Sequence, residues 1–168
     1  EKHFPVWISD VNKLTDAYEM IEQIGIISNK ESKAKMLISH IKENFSQLQH
    51  SNSNPQTIYL IWQKPYMTVG GDTFIHSMIE AAGFQNIYAN STRYPEVTIE
   101  ELKAKNPDLI ILSSEPFPFN QKHIDELQVH LPTTKIVLAD GEMFSWYGSR
   151  LIKAPAYFAT VSEQIVRP

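Results

Sequence analysis

The 168-residue sequence has no cysteine, which excludes disulfides, thiolate metal sites and cysteine nucleophiles. Basic residues are few: 15 Lys and Arg stand against 19 Asp and Glu, for a net charge of −4, and they form no block. A groove for nucleic acid or a patch for an anionic membrane is therefore not expected. No run reaches the ~18 apolar residues of a membrane span. The remaining composition, 42% hydrophobic and 20% charged, is that of one globular domain.

Enzyme motifs are also lacking. The segment TVGGD (68–72) has neither the G-x-G-x-x-G spacing nor the Lys-Ser/Thr of a phosphate-binding loop. Its glycines fit a tight turn before a helix capped by Asp72 or Thr73, and phosphate binding is the lesser alternative. None of the histidines forms a paired-ligand pattern: His3, His40, His50, His76, His123 and His130. We therefore predict no catalytic residue and no metal site.

The chain opens on a strand pattern followed by a helix pattern. FPVWIS (4–9) is rich in β-forming residues. The segment 12–25 is predicted to be helical and to end at Gly25, a residue typical of helix C-caps. Because a natural protein rarely begins on such a pattern, we expect that an N-terminal part is missing from this chain.

A second helix, over 30–49, gives the clearest periodic signal. Ser28 and Glu31 have the spacing of a capping box that would open it. About 19 residues at 1.5 Å per residue predict a length of roughly 29 Å. One face of this helix is apolar: Ala34, Leu37, Ile38, Ile41, Phe45 and Leu48.

From residue 57 onwards strand and helix patterns alternate. Strands are predicted over 57–62, 109–114 and 135–140, and helices over 73–82, 98–105 and through Ile124, Leu127 and Leu131. Continuous apolar strands alternating with helices indicate an α/β fold with a parallel sheet covered by helices on both faces. In such sheets ligands bind beyond the carboxyl ends of the strands. The loops at 63–73, 115–120 and 140–148 should share that edge.

Aromatic residues are concentrated in these loops and in the connection after Ala82. Rings with a large apolar area suit a flat, bulky ligand bound by stacking and shape. For any single ring, packing in the core is an equal alternative, whereas the set as a whole favours a binding surface. The set comprises Trp62, Tyr66, Tyr94, Phe117, Phe119, Phe144, Trp146 and Tyr147.

Three ordered motifs resemble a known family: IWQKPYMTVGGDTFIHSMIEAAGFQNIY, RYPEVTIEELKAKNPDLIILSSEPFPF and LADGEMFSWYGSRL. They are similar to the C-terminal lobe of ABC-importer solute-binding proteins of the helical-backbone type, which bind cobalamin, ferric siderophores or haem. The resemblance implies a Rossmann-like, chelatase-like three-layer lobe at 55–168. It further implies an interlobe linker at 12–54 with the backbone helix 30–49, the end of an N-terminal lobe at 1–11, and the absence of that lobe from this chain.

The resemblance also implies ligand contacts. Tyr94, in RYPEV, falls where the vitamin B12-binding members carry a ligand-contacting tryptophan, and it is the first candidate. Phe144 and Trp146 lie in another segment that lines the cleft in this family. Further candidates are Trp62, Tyr66 and Arg93.

Glu100 matches the glutamate that docks onto arginines of the permease in cobalamin-binding members. The alternative is a surface acid favoured by the helix dipole. Its neighbour Glu101 forms a T-x-x-E capping box with Thr98, which gives Glu101 a structural role. The only arginines are Arg93, Arg150 and Arg167, a number that favours an aromatic-lined corrinoid or planar chelate over a highly acidic chelate.

The expected protein is thus a monomer without a cofactor. It captures a metal chelate, with cobalamin as first choice and ferric siderophore or haem next. It lies in the periplasm or is lipid-anchored outside the cytoplasmic membrane, and it delivers the chelate to the transmembrane subunits of an ABC permease. The alternatives are an α/β enzyme of chelatase-like or nucleotide-binding type and a sensor or adaptor lobe.

Overall fold

The computed structural model describes residues 4–48 and 54–166. Residues 1–3, 49–53, 167 and 168 lie outside the described residues, and with them parts of the predicted segments 1–11, 12–54, 30–49 and 55–168. The elements in chain order are α1 (Leu14–Ile27), α2 (Glu31–Ser46), β1 (Gln56–Leu60), β2 (Tyr66–Met67), α3 (Phe74–Ala81), β3 (Gln85–Asn86), β4 (Glu96–Val97), α4 (Ile99–Lys105), β5 (Leu109–Ser113), α5 (Gln121–Gln128), β6 (Lys135–Ala139), α6 (Glu142–Ser145), a 3₁₀ turn (Ser149–Ile152) and α7 (Ala154–Val166).

Four parallel strands form the sheet in the order β3-β1-β5-β6. In the register Ile58 lies opposite Ile110, which lies opposite Ile136. A second, two-stranded antiparallel ladder joins β2 to β4. The predicted α/β fold with a parallel sheet is therefore confirmed.

Alternate side chains of each strand point to opposite faces of the sheet, and helices cover both faces. On one face, Tyr59 and Ile111 belong to a cluster that includes residues of α1, α2, α3 and α7. On the other face, Ile58 and Ile110 pack with residues of α4 and α5. The three layers explain why the strands read as continuous apolar runs.

Helices α1 and α2 pack closely at Gly25. A Cβ on Gly25 would lie 2.5 Å from the Cβ of Ala34. The prediction that Gly25 ends the first helix is wrong, since α1 continues to Ile27 and Gly25 is buried within it. Glycine is there because the neighbouring helix leaves no space for a side chain.

The start and end of α2 also differ from the prediction. Its N-cap is Lys30, and the Ser28 hydroxyl instead donates 2.6 Å to the Ile24 carbonyl of the preceding helix. No Ser28–Glu31 capping box forms. The helix has 16 residues, so its length is about 24 Å rather than about 29 Å.

The predicted strand at 4–9 is wrong as well. Residues 4–10 have no regular secondary structure, and Phe4, Val6 and Ile8 are exposed. Within the described ranges no strand pairs with this segment, and β-forming residues need a neighbouring strand to form a ladder.

Candidate functional site

The carboxyl ends of β1, β5 and β6 meet at one edge of the sheet, because these strands are parallel neighbours. The loops after them, which include 63–73, 115–120 and 140–148, therefore lie at that edge, as predicted. The last of them contains the short helix α6, so it is not an irregular loop throughout.

An apolar cavity of about 360 Å³ opens at this edge. Its rings come from two of the predicted candidates: Trp62 follows β1, and Tyr94 precedes β4. The two side chains are 38% and 44% exposed, so their rings present apolar area to the solvent. The cavity, called the strand-edge cavity below, is lined by Ile61, Trp62, Met67, Ile75, Tyr94 and Pro116.

Tyr94 is positioned by main-chain contacts. The segment 91–95 runs beside the segment 68–71, and three backbone hydrogen bonds of 2.7–3.0 Å join them. Glycine is required at two positions of the second segment: a Cβ on Gly70 would lie 2.3 Å from the Ser91 carbonyl oxygen. One on Gly71 would lie 2.0 Å from the Ala89 carbonyl oxygen. The hydrogen bonds run from Thr68 N to Pro95 O, from Gly70 N to Arg93 O and from Gly71 N to Ser91 O.

Arg93 flanks the cavity without lining it. Its backbone has φ 56°, and its N–H donates 2.5 Å to Oδ1 of Asp72. The side chain is exposed. Among the described residues the guanidinium forms no ion pair, and the Asp72 carboxylate contacts only the Arg93 main chain.

Trp62 and Tyr66 point to different places. The Trp62 ring packs edge-on against Phe117 with centroids 5.6 Å apart. Tyr66 packs with the cluster on the α4–α5 side of the sheet, and its hydroxyl accepts a 3.1 Å hydrogen bond from Nε2 of Gln63. Met67, its neighbour in β2, faces the cavity instead, since successive strand residues point to opposite sides.

Phe144 and Trp146 also separate. Phe144 is fully buried, with its ring 5.1 Å from Tyr59 and 4.7 Å from Phe158. The prediction that Phe144 lines the cleft is wrong, because the core covers the whole ring. Trp146 is 49% exposed, and its Nε1–H donates 2.8 Å to Oε1 of Glu115.

Sequence reasoning missed Glu115. Besides Trp146, the Ser145 hydroxyl donates to the same Oε1 at 2.8 Å, so this carboxylate joins the loops after β5 and β6. Gly141 makes room for it, since a Cβ there would lie 2.5 Å from Cγ of Glu115. The only sequence signal was the position of Glu115 in a loop after a strand.

The buried polar groups beneath this edge are hydrogen-bonded. The Tyr59 hydroxyl donates 3.1 Å to Oγ of Ser113, which donates 2.5 Å to the Glu115 carbonyl. Burial raises the pKa of the Tyr59 phenol far above its ordinary value. Tyr59 therefore stays neutral and serves the packing of the sheet edge.

Helix α4 begins with the predicted capping box. The Glu101 N–H donates 3.2 Å to Oγ1 of Thr98, and the Thr98 N–H donates 2.7 Å to Oε2 of Glu101. These hydrogen bonds hold the pKa of the Glu101 carboxyl below its ordinary value. The Glu100 side chain is exposed and makes no hydrogen bond or ion pair within the part of the chain that the structure describes.

Residues 4–48 and 54–166 contain neither a metal-binding cluster nor a membrane-spanning helix. No three His, Asp or Glu side chains in these ranges are placed to hold a metal ion. None of their helices is long and apolar enough to cross a membrane.

Comparison with known proteins gives a family. The family model described as periplasmic binding protein matches residues 1–135. The vitamin B12-binding protein of Vibrio parahaemolyticus is 26% identical over 113 residues, 65% of this chain and 41% of that protein. The uncharacterized ABC transporter substrate-binding lipoprotein YvrC of Bacillus subtilis is 26% identical over 111 residues, 62% of this chain and 35% of that protein. The chain thus spans less than half the length of these relatives.

A solved structure supports the same fold. That of a possible iron-binding, periplasmic solute-binding protein from Staphylococcus epidermidis matches with a TM-score of 0.79 at 19% identity, covering 96% of this chain and 66% of that chain. These matches confirm the resemblance carried by the three motifs. They are matches to binding proteins rather than to enzymes, as expected.

Proposed function

Because the chain belongs to the periplasmic binding protein family, we propose that it binds a metal chelate and delivers it to an ABC permease outside the cytoplasmic membrane. The observation that carries this proposal is the strand-edge cavity, an apolar hollow of about 360 Å³ with exposed Trp62 and Tyr94 rings. Aromatic-lined concave sites suit bulky ligands of this class. Cobalamin or a related corrinoid is the first choice, since a relative is named for vitamin B12. A ferric siderophore or haem is next.

In this proposal the ligand rests on one wall that this chain supplies. Tyr94 and Trp62 contact it from within the cavity lining. Trp146 adds an exposed ring from the loop after β6. Arg93 flanks this wall, Tyr66 supports it from the opposite side of β2, and Phe144 contributes only through the core. Residues 55–168 act as the ligand-binding lobe and 12–54 as the helical linker to a lobe ending at 1–11.

Calorimetric titration of the purified protein with cobalamin, cobinamide, haem and a ferric hydroxamate siderophore tests the ligand class. We expect at least one of these probes to bind with a stoichiometry of one. The absence of binding by all four would refute the metal-chelate function.

Variants at position 94 test the site itself. Tyr94→Ala should weaken binding about tenfold or more, because a ring that is buried by the ligand contributes roughly 1.5–3 kcal/mol. Tyr94→Phe should retain most of the affinity, since the flat ring remains. Tyr18→Ala, at a partly exposed tyrosine on α1 outside the cavity, is the matched control. Equal affinity for wild type and Tyr94→Ala would remove Tyr94 from the site.

For the permease contact we propose Glu100. Its exposed carboxylate has no partner among the described residues, whereas the adjacent Glu101 is engaged in the capping box. Exposed complementary charges steer and register such contacts. Glu100→Ala should lower ligand-dependent ATPase activity of the reconstituted transporter and leave ligand affinity unchanged. Glu22→Ala, an exposed acid on α1, is the control, and equal coupling in both variants would exclude docking through Glu100.

A further inference from the structure

Glu115 precedes a residue that lines the strand-edge cavity, and its side chain contacts the exposed Trp146. The next residue, Pro116, lines the cavity, while Oε1 of Glu115 accepts hydrogen bonds from Trp146 and Ser145, both 2.8 Å long. The carboxylate thus holds the Trp146 indole by its only polar atom. Any ligand that covers both the cavity and the Trp146 ring passes close to this charge.

No cation neutralises Glu115 within the described ranges, where it forms no ion pair. Arg150 lies with its guanidinium carbon 5.8 Å from the Trp146 ring centroid, but it pairs with Glu142. Arg93 lies on the Tyr94 side of the cavity, and within the described ranges its guanidinium forms no ion pair with Glu115. On the Trp146 side of the cavity, the Glu115 carboxylate is therefore bound only by neutral donors.

A carboxylate is more than the hydrogen bonds need, since a glutamine oxygen would accept from the same two groups. The hydrogen bonds do not require the negative charge of Glu115. This charge can act on the ligand, because Coulomb interactions at a partly buried site are stronger than in water. We infer that Glu115 is a positioning and specificity residue, which orients Trp146 and selects neutral or cationic chelates over chelates bearing free carboxylates. This inference rests on the proposed chelate-binding function.

The test compares two ligands that differ by one charge. Cobinamide is titrated alongside its monocarboxylate derivative, in which one side-chain amide is hydrolysed. If the protein binds haem and not cobinamide, haem monomethyl ester and haem, which also differ by one carboxylate, replace them. Wild type should prefer the ligand with one carboxylate fewer about fivefold or more, as one nearby like charge predicts at intermediate dielectric.

Three variants separate charge from position. Glu115→Gln keeps the hydrogen-bond acceptor and should bind the ligand with one carboxylate fewer within about twofold of wild type, while it loses most of the preference. Glu115→Ala should weaken both ligands, because Trp146 is released. Glu43→Gln removes the same charge from an exposed position on α2 and should keep the wild-type preference.

The outcomes distinguish the two proposals. If wild type binds neither ligand pair, the inference is overturned, and the chelate function fails as well only if cobalamin and the ferric siderophore are not bound either. If wild type binds and Glu115→Gln shows the same preference as wild type, the inference is overturned and the function stands. A preference lost equally in Glu43→Gln would show a general charge effect and would also overturn it.

Discussion

Phe144 and Trp146 are two residues apart, yet one ring lies in the core and the other faces solvent. Phe144 lies within α6, whose turn directs it toward Tyr59 and Phe158. Trp146 is the C-cap of that helix and has an extended backbone, and its indole Nε1–H donates to Glu115. The first ring therefore stabilises the fold, and the second is available for recognition.

Alanine variants of the two aromatics should have opposite effects. Phe144→Ala should lower the free energy of unfolding by about 3–5 kcal/mol, because it leaves a cavity in the core. Trp146→Ala should change it by less than about 1 kcal/mol, since half of the side chain is already exposed, and should weaken ligand binding. Urea denaturation and calorimetry of the same samples measure both. A large loss of stability in Trp146→Ala would contradict this separation.

The capping box of α4 predicts a pH dependence. The Thr98 hydrogen bonds hold the pKa of Glu101 below its ordinary value of 4.5. A lowered pKa in the folded state means that the stabilising contribution is complete above about pH 4.5. It is lost as the pH falls through the folded-state pKa.

Thr98→Ala should lower the free energy of unfolding by about 1 kcal/mol at pH 7, as the loss of an N-cap does. Glu101→Gln should destabilise the protein at pH 7 and approach wild type below pH 4. Urea denaturation at several pH values measures the difference. Glu100→Gln removes an acid from the same helix turn without removing the capping hydrogen bonds. If Glu101→Gln destabilised equally at every pH, the carboxylate would have no part in the effect.

Among the elements, the contact of α1 with α2 depends on small residues. Gly25 and Ala34 are both buried, and the helices approach so closely that a Cβ on Gly25 has no space. Alanine is a better helix former than glycine by about 1 kcal/mol. Packing opposes propensity here, and at 2.5 Å from Ala34 packing decides.

Gly25→Ala should therefore destabilise the protein by about 1–3 kcal/mol, the usual cost of overpacking. The double variant Gly25→Ala, Ala34→Gly should recover at least half of the loss, because it moves the methyl group from one helix to the other. Gly148→Ala, where an added Cβ meets nothing within 4 Å, is the control. Thermal unfolding measures all three. A stabilised Gly25→Ala would show that propensity decides.

The central strands and their flanking helices could be predicted from the sequence, because burial on both faces leaves a continuous apolar run that is easily recognised. The thin strands β2, β3 and β4 could not, since two residues carry no period. The end of α1 depends on Ala34, a residue outside that helix. The common edge of the loops followed from parallel strand order, whereas the role of Glu115 depends on Trp146, 31 residues further along the chain.

At the scale of the whole molecule, the α1–α2 pair shares its core with the sheet. Ile21 and Ile41 belong to the same buried cluster as Phe74 and Phe158. In addition, Nδ2 of Asn44 donates 2.8 Å to the Ile152 carbonyl, which ties α2 to the 3₁₀ turn. Because the helical pair and one face of the sheet share this buried cluster, they should unfold together.

Ile41→Ala tests this cooperativity. Ile41 is fully buried, so the variant should lose about 2–5 kcal/mol. Far-ultraviolet circular dichroism and tryptophan fluorescence should still report one coincident transition. Ile27→Ala, at a residue that is 64% exposed, should stay within about 0.5 kcal/mol of wild type. Two separate transitions in Ile41→Ala would show that the helical pair unfolds alone.

The segment that presents Tyr94 is held by main-chain hydrogen bonds to residues 68–71, and its own side chains take no part in them. Such a ladder tolerates exchange at positions 92 and 94, while Gly70 and Gly71 are fixed by the close approach. Substitutions at these two positions can thus change the ligand preference with little loss of folding stability. We expect that most members of a library randomised at positions 92 and 94 would fold, and that they would differ in the chelate they bind.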